Sequence, residues 1–266
     1  MFYLLIFIFG LIIGSFINCL LYRLEKEESF IKGRSYCPKC KHLLSWRDLI
    51  PVFSWILLRG RCRYCKKKIS VEYPLIEITT GALFLLAGIF VFANYAQFKF
   101  FYLLFYLVVI SSLLIIFVFD LKYLLVSEKV LFYTLIFVVL WHIIALFLGI
   151  QTLENILFYL LAAFLSALFF GALYLITKKK GMGFGDVEII FLMGLIVGIP
   201  DIFFVIFIGS LLGTIVGLLA ILFFKGSMKT ALPFGPFLVI GVFIMLFYSR
   251  VILDLYYSLF VNFLSF

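Results

Sequence analysis

Two aspartates and four cysteines carry most of the chemistry open to this sequence. Asp120 closes the apolar run Leu113 to Phe119, and Asp186 follows Gly181-Met182-Gly183-Phe184-Gly185. A carboxylate at the edge of hydrocarbon is expensive to keep there. If the two meet in a low-dielectric mouth, adjacent negative charges are disfavoured and the pair shares a proton. One carboxylate then takes a proton from a water while the other protonates a scissile carbonyl or leaving amine. Gly183 and Gly185 suit that use, because glycine lets the backbone turn sharply and an extended substrate approach closely. A structural reading stays open beside it: Asp186 is placed to cap a helix, and Asp120 to mark a membrane boundary. Glu77, just inside an apolar span, is a further candidate for orienting a partner or touching substrate, whereas Asn18 reads as a hydrogen bond between helices.

Cys37-Pro-Lys-Cys40 and Cys62-Arg-Tyr-Cys65 form two C-x-x-C knuckles at the spacing of a structural zinc site. Four thiolates complete a tetrahedral shell and leave no open position for catalysis. Unpaired cysteines and redox work are the alternatives, although one C-x-x-C pair suffices for redox. His42 beside the first knuckle can replace a ligand. Cys19 reads as a small buried residue, and His142 as a packed or lipid-edge histidine.

The elements that must position these groups are membrane spans. Of the 266 residues, 66% are hydrophobic and 13% charged, against about 45–50% and about 25% in soluble domains. Most of the 36 Phe residues then face lipid or fill helix contacts. Apolar stretches near 2–22, 74–94, 100–119, 130–149, 153–177, 187–200, 202–224 and 233–249 predict eight spans. The 187–200 stretch is short and contains Gly194 and Gly198, so it is expected to be tilted or sheltered by neighbours. The tail from Val251, interrupted by Arg250 and Asp254, reads as interfacial, with a ninth span as the alternative. Gly10 and Gly14, then Gly209, Gly213 and Gly217, recur at the spacing that lets helix backbones approach.

Charge sets the orientation. The 23–73 loop holds 13 of the 22 Lys and Arg residues, and every second loop after it is basic. With the N-terminus outside, 20 of the 22 face the cytoplasm. The net charge of +9 follows from this bias and from attraction to anionic lipid rather than from nucleic-acid binding. Because the loop lies in a reducing compartment, disulfides are disfavoured. The first span lacks a basic n-region and a small-residue cleavage site, so it is expected to stay attached.

Taken in order, these motifs resemble the bacterial prepilin peptidases, membrane aspartic proteases of the GxGD group. The resemblance rests on Gly14-Ser15-Phe16-Ile17-Asn18-Cys19, Tyr22-Arg23-Leu24, the stretch Arg34 to Cys40, and Ile50-Pro51-Val52-Phe53-Ser54-Trp55. Leu58 to Cys65, Tyr73-Pro74-Leu75-Ile76-Glu77, Gly183-Phe184-Gly185-Asp186 and Pro233-Phe234-Gly235-Pro236-Phe237 complete it. It implies that Asp120 and Asp186 are the catalytic pair. It also implies cleavage after a short basic leader of pilins and pilin-like secretion or competence subunits, and, in many members, methylation of the new N-terminus from S-adenosylmethionine. The soluble loop has no glycine-rich cofactor signature, so methylation rests on resemblance alone. The chain departs from the family pattern in four places, one of them a dipeptide. Ser127-Glu128 replaces Pro-Asp, with Glu128 keeping the charge and a milder turn expected. Glu188 replaces a lysine, Leu49 an asparagine and Phe53 a smaller aliphatic residue. Glu188 is expected to disfavour ionisation of Asp186 if their side chains approach.

The expectation is therefore an all-α polytopic membrane protein of about eight transmembrane helices with a small cytoplasmic zinc-binding insertion. Residues 1–22 form the first helix, 23–73 the cytoplasmic four-cysteine zinc-binding domain and 74–266 the peptidase core. It is placed in the bacterial cytoplasmic membrane with its active site on the cytoplasmic side. Methyl transfer as the principal activity is one rival. The other is a membrane scaffold or transporter whose zinc domain docks a cytosolic partner.

Overall fold

The computed structural model describes residues 1–29, 33–178, 183–224 and 233–264. Nine α-helices run through these described residues: α1 (Phe2–Glu25), α2 (Phe53–Leu57), α3 (Glu72–Asn94), α4 (Lys99–Tyr123), α5 (Glu128–Phe147), α6 (Leu153–Ile176), α7 (Phe184–Val197), α8 (Asp201–Phe224) and α9 (Gly235–Leu264). Among them seven are long and apolar enough to cross a membrane: α1, α3, α4, α5, α6, α8 and α9. Hydrocarbon leaves backbone groups no water to bond, so each span must satisfy its own, and helices do so.

The eighth expected span is the exception that its glycines foreshadowed. Helix α7 has 14 residues, or about 21 Å of length, too little for about 30 Å of hydrocarbon. It begins at Phe184, earlier than the expected 187, so that Asp186 lies inside it. Val187, Ile189, Ile190, Leu192, Met193 and Ile196 are all buried, which is the sheltering expected of a short element. The tail from Val251 is not a separate element: α9 continues unbroken to Leu264. Arg250 and Asp254 do not break the helix, because they leave the backbone ladder intact.

Contacts divide the chain into two units, Met1–Ile115 and Ile116–Phe266, with the boundary inside α4. In the first unit α1 and α3 pack closely at the expected small residues. A methyl on Gly10 would lie 2.7 Å from the Gly81 Cα, and one on Gly14 would lie 2.6 Å from the Glu77 Cα. Asn18 Nδ2 donates to the Tyr73 carbonyl at 3.0 Å, joining the same two helices as expected. In the second unit α6 meets α7 where Gly194 faces the Ala163 backbone, and α8 meets α9 where Gly209 faces Leu238.

Candidate active site

In the second unit, three helix ends converge on one carboxylate. Asp120 lies in the last turn of α4, where carbonyls point outward and a negative charge is disfavoured. The start of α9 offsets this. Asp120 accepts the backbone N–H of Gly235, the first residue of α9, whose donor has no partner within the helix. A methyl on Gly235 would lie 2.5 Å from Asp120 Oδ2 and 3.2 Å from Ile189 Cδ1, so residue 235 must lack a side chain. Asp120 is 5% exposed, and its Oδ2 is buried with no hydrogen-bond partner among the described residues.

Asp186 occupies the third position of α7, after the cap residue Gly183. Its carboxylate accepts the Gly183 N–H, the backward bond that an acidic residue makes to its cap. The expectation that Asp186 is itself the cap is thereby corrected by one helical turn. Its charge and that of Asp120 act on each other directly. Both acids therefore sit at positive helix N-termini with one backbone donor each, within range of one another.

The glycines act differently from expectation. Gly183 has φ −77 and ψ 152, an extended conformation open to any residue. Gly185 is needed for space: a methyl there would lie 2.7 Å from Val126 Cγ2. Gly181 and Met182 lie outside the described residues, as do Lys179, Lys180, Lys225 and Lys229.

Glu188 does not face Asp186. It interacts with Glu128, and both line a cavity of about 630 Å³ with Lys129, Phe132, Val187 and Phe191. Ser127 stands at the N-cap position of α5 without a side-chain capping bond, and Glu128 is the first residue of the helix. His142 is packed: Nε2 bonds the Leu195 carbonyl at 3.0 Å, Nδ1 bonds Gln151 Oε1 at 2.9 Å, and the ring lies 4.6 Å from that of Tyr159.

In the first unit the sulfurs of Cys37, Cys40, Cys62 and Cys65 lie within 4.8 Å of one another. A tetrahedral ion with Zn–S bonds of about 2.3 Å needs sulfurs about 3.8 Å apart, so the four fit a metal ion. Each knuckle is built alike. The Cys37 carbonyl accepts the Lys41 N–H and the Cys62 carbonyl the Lys66 N–H, while Lys41 and Lys66 have φ of 59 and 58. Burial pushes the Cys37 thiol up, but the backbone N–H groups of Cys40 and Lys39 outweigh it and bring the thiol to about 7, toward the thiolate a metal needs. His42 is not part of the sulfur cluster; its ring centroid lies 3.6 Å from that of Tyr64, the two rings tilted by 34°. Cys19 also stands apart, with its sulfur 3.8 Å from Ser35 Oγ. Glu77 accepts the Val52 N–H at 2.7 Å.

A model of the bacterial peptidase A24 N-terminal domain matches residues 8–91, and one of the type IV leader peptidase family matches residues 107–218. A prepilin leader peptidase/N-methyltransferase of Bacillus subtilis (strain 168) is 32% identical over 252 residues, covering 95% of this chain and 96% of that protein. The chain belongs to the type IV leader peptidase family. Proteins of the same description from Pectobacterium carotovorum subsp. carotovorum and Legionella pneumophila are similar too. The first is 30% identical over 88% of each chain, and the second 31% identical over 96% of this chain and 94% of its own. No solved structure matches. The leader peptidase match contains both aspartates, and the N-terminal match contains Asn18, Glu77 and all four cysteines.

Sequence reasoning gives no role to Gly235, Val126 or Asp48. Gly235 is within its reach, since it stands in the Pro233 to Phe237 element. Asp48 carries no signal. It accepts hydrogen bonds from Ser45 N (3.1 Å), Ser45 Oγ (2.8 Å), Arg63 Nε (2.6 Å) and Tyr64 OH (3.1 Å). These bonds tie the second knuckle to the segment after the first.

Proposed function

We propose that this protein is a membrane aspartic endopeptidase that removes the basic leader of type IV prepilins or pilin-like subunits at the cytoplasmic face of the inner membrane. The observation that carries the reading is that buried Asp120 and half-buried Asp186 lie within electrostatic range of each other, each held by a helix N-terminus, with one Asp120 oxygen left unbonded among the described residues. An oxygen so placed is open to a water or a substrate carbonyl.

One carboxylate of the pair is ionised and the other protonated. The ionised member removes a proton from water, whose oxygen bonds to the scissile carbonyl carbon. The protonated member gives its proton to the carbonyl oxygen, producing a neutral tetrahedral diol. The acid so formed then protonates the departing nitrogen while the other carboxylate takes a proton back from a hydroxyl of the diol; the C–N bond breaks, the carbonyl re-forms and the pair regains its starting state. Backbone donors from Gly183 and Gly235 hold the two groups in place.

Glu128 and Glu188, on the cavity that Val187 also lines, are proposed to receive a basic leader residue, and Glu77 and Asn18 to fix the 23–73 module against its helices. Zinc is the proposed metal of the four cysteines, holding that module folded and taking no part in cleavage. Methylation of the new N-terminus from S-adenosylmethionine is proposed as a second activity, on the strength of the relatives' shared name.

The test is cleavage of a purified prepilin in detergent by wild type, Asp120→Asn and Asp186→Asn. Cleavage by wild type and its loss in both variants, at unchanged zinc content and thermal stability, is the expected result. Variants that cut as fast as wild type would sink the assignment.

A further inference from the structure

The short helix α2 wears its apolar side outward. Phe53, Ile56 and Leu57, at i, i+3 and i+4, share one face and are 56%, 59% and 64% exposed. Trp46, in the 3-10 turn Trp46–Asp48 beside α2, is 70% exposed. The opposite side is where the module packs. Trp55 covers Gly60, and its indole N–H donates to the Ile69 carbonyl at 3.4 Å. A water-soluble zinc module would place its aromatic and aliphatic side chains the other way round.

Depth explains the inversion. Asn18 bonds the Tyr73 carbonyl, so the start of α3 lies level with Asn18, about 6 Å short of the end of the apolar run of α1 at Tyr22. Glu77 packs beside Gly14 one turn further in, and its carboxylate takes the N–H of Val52, the residue immediately before α2. The module is thus pinned through Val52 at a level where α1 is still apolar. Interfacial helices lie about 5–10 Å into the boundary between headgroups and acyl chains, which is the depth these two bonds set.

The charge of the module matches the same surface. Arg47, Arg59, Arg61, Lys66 and Lys67 are exposed on it, and the Arg47 guanidinium lies 5.3 Å from the Trp46 ring centroid. Long basic side chains bury their stems and extend their charges to lipid phosphates, while Trp favours the headgroup level.

We infer that the exposed face of Trp46, Phe53, Ile56 and Leu57 is seated in the anionic lipid surface of the membrane that α1 and α3 cross. The zinc module is a half-submerged foot of the bundle rather than a domain suspended in the cytosol. This inference does not depend on the peptidase assignment, and its test reads lipid contact instead of cleavage.

The zinc-loaded full chain is reconstituted in vesicles of phosphatidylglycerol and phosphatidylethanolamine, with and without acyl chains brominated near the glycerol. The emission of Trp46 is the difference between wild type and Trp46→Phe, which cancels Trp55 and Trp141. Bromolipid is expected to remove most of that difference. The double variant Phe53→Asp/Ile56→Asp, measured against the same variant carrying Trp46→Phe, is expected to recover it at full zinc content. A Trp46 signal equal in brominated and plain vesicles, with zinc retained, overturns the inference. So does a signal that depends on protein-to-lipid ratio and not on bromine, which would assign the face to a second copy of the chain.

Discussion

At the scale of single residues, the site depends on atoms that are absent as much as on those present. Gly235 and Gly185 each leave room for a neighbour, Asp120 in one case and Val126 in the other. Gly235→Ala should push the Asp120 carboxylate from its donor, and displacement by about 1 Å costs on the order of 10²-fold in rate. Cleavage kinetics of the variant on a prepilin peptide check this. Gly185→Ala should also slow cleavage, and Val126→Ala in the same chain should restore much of it, because the clash is with the Val126 methyl group. Failure of the second change to help would place the role of Gly185 elsewhere. Glu188→Gln should raise KM for a prepilin with a basic leader more than it lowers kcat, and it should lose that effect on a leader whose basic residues are neutralised.

At the scale of elements, α7, which carries Asp186 of the proposed catalytic pair, is held at both ends. Its first turn presents Asp186, and its last turn is fastened through the Leu195 carbonyl to His142 of α5. That carbonyl is one of the last four of α7, which the helix cannot satisfy itself. His142→Ala should leave it buried and unpaired at a cost of about 1–3 kcal/mol, read as a lowered melting temperature in detergent. The four-cysteine module has its own fastening in Asp48. Burial pushes that carboxyl up, but hydrogen bonds from Arg63 and Ser45 prevail and hold it at about 2. Because its pKa is depressed, the contribution of Asp48 is complete above about pH 4 and is lost as pH falls through about 2. Asp48→Asn should therefore weaken the module's resistance to urea at neutral pH, and the gap from wild type should shrink below about pH 4. Chelation of the metal should open residues 23–73 to protease while leaving the spanning helices intact, since those need no metal to satisfy their backbones.

For the whole molecule, the same alternation of basic and non-basic loops that orients the spans also gathers helix ends of one kind. The C-terminal end of α4 and the N-terminal ends of α7 and α9 belong to cytoplasmic connections under that rule. Cysteine placed at Gln97 or Asn155 should be labelled by an impermeant maleimide from outside spheroplasts, and cysteine at Lys122 should not be. Labelling of Lys122→Cys from outside would reverse the topology.

Seven spans were legible because each is a local property of about 20 residues, in which apolar length alone fixes the element. The eighth, 187–200, was apolar enough but too short, and only its burial among other helices shows how so short an element is accommodated. The cysteine knuckles were legible as local spacing, since a metal-binding pattern is written along the chain. The aspartates were visible as costly charges at span ends, but spacing left catalysis and capping both open. Tertiary structure decided what no local pattern encodes. Gly235, 115 positions after Asp120 in the sequence, must stay bare because a carboxylate occupies its Cβ space. Glu188 turns from Asp186 to Glu128 because an α-helix points successive residues in different directions. The apolar face of α2 points outward because Val52 is tethered at Glu77, a contact between separate elements whose depth only the packed helices set.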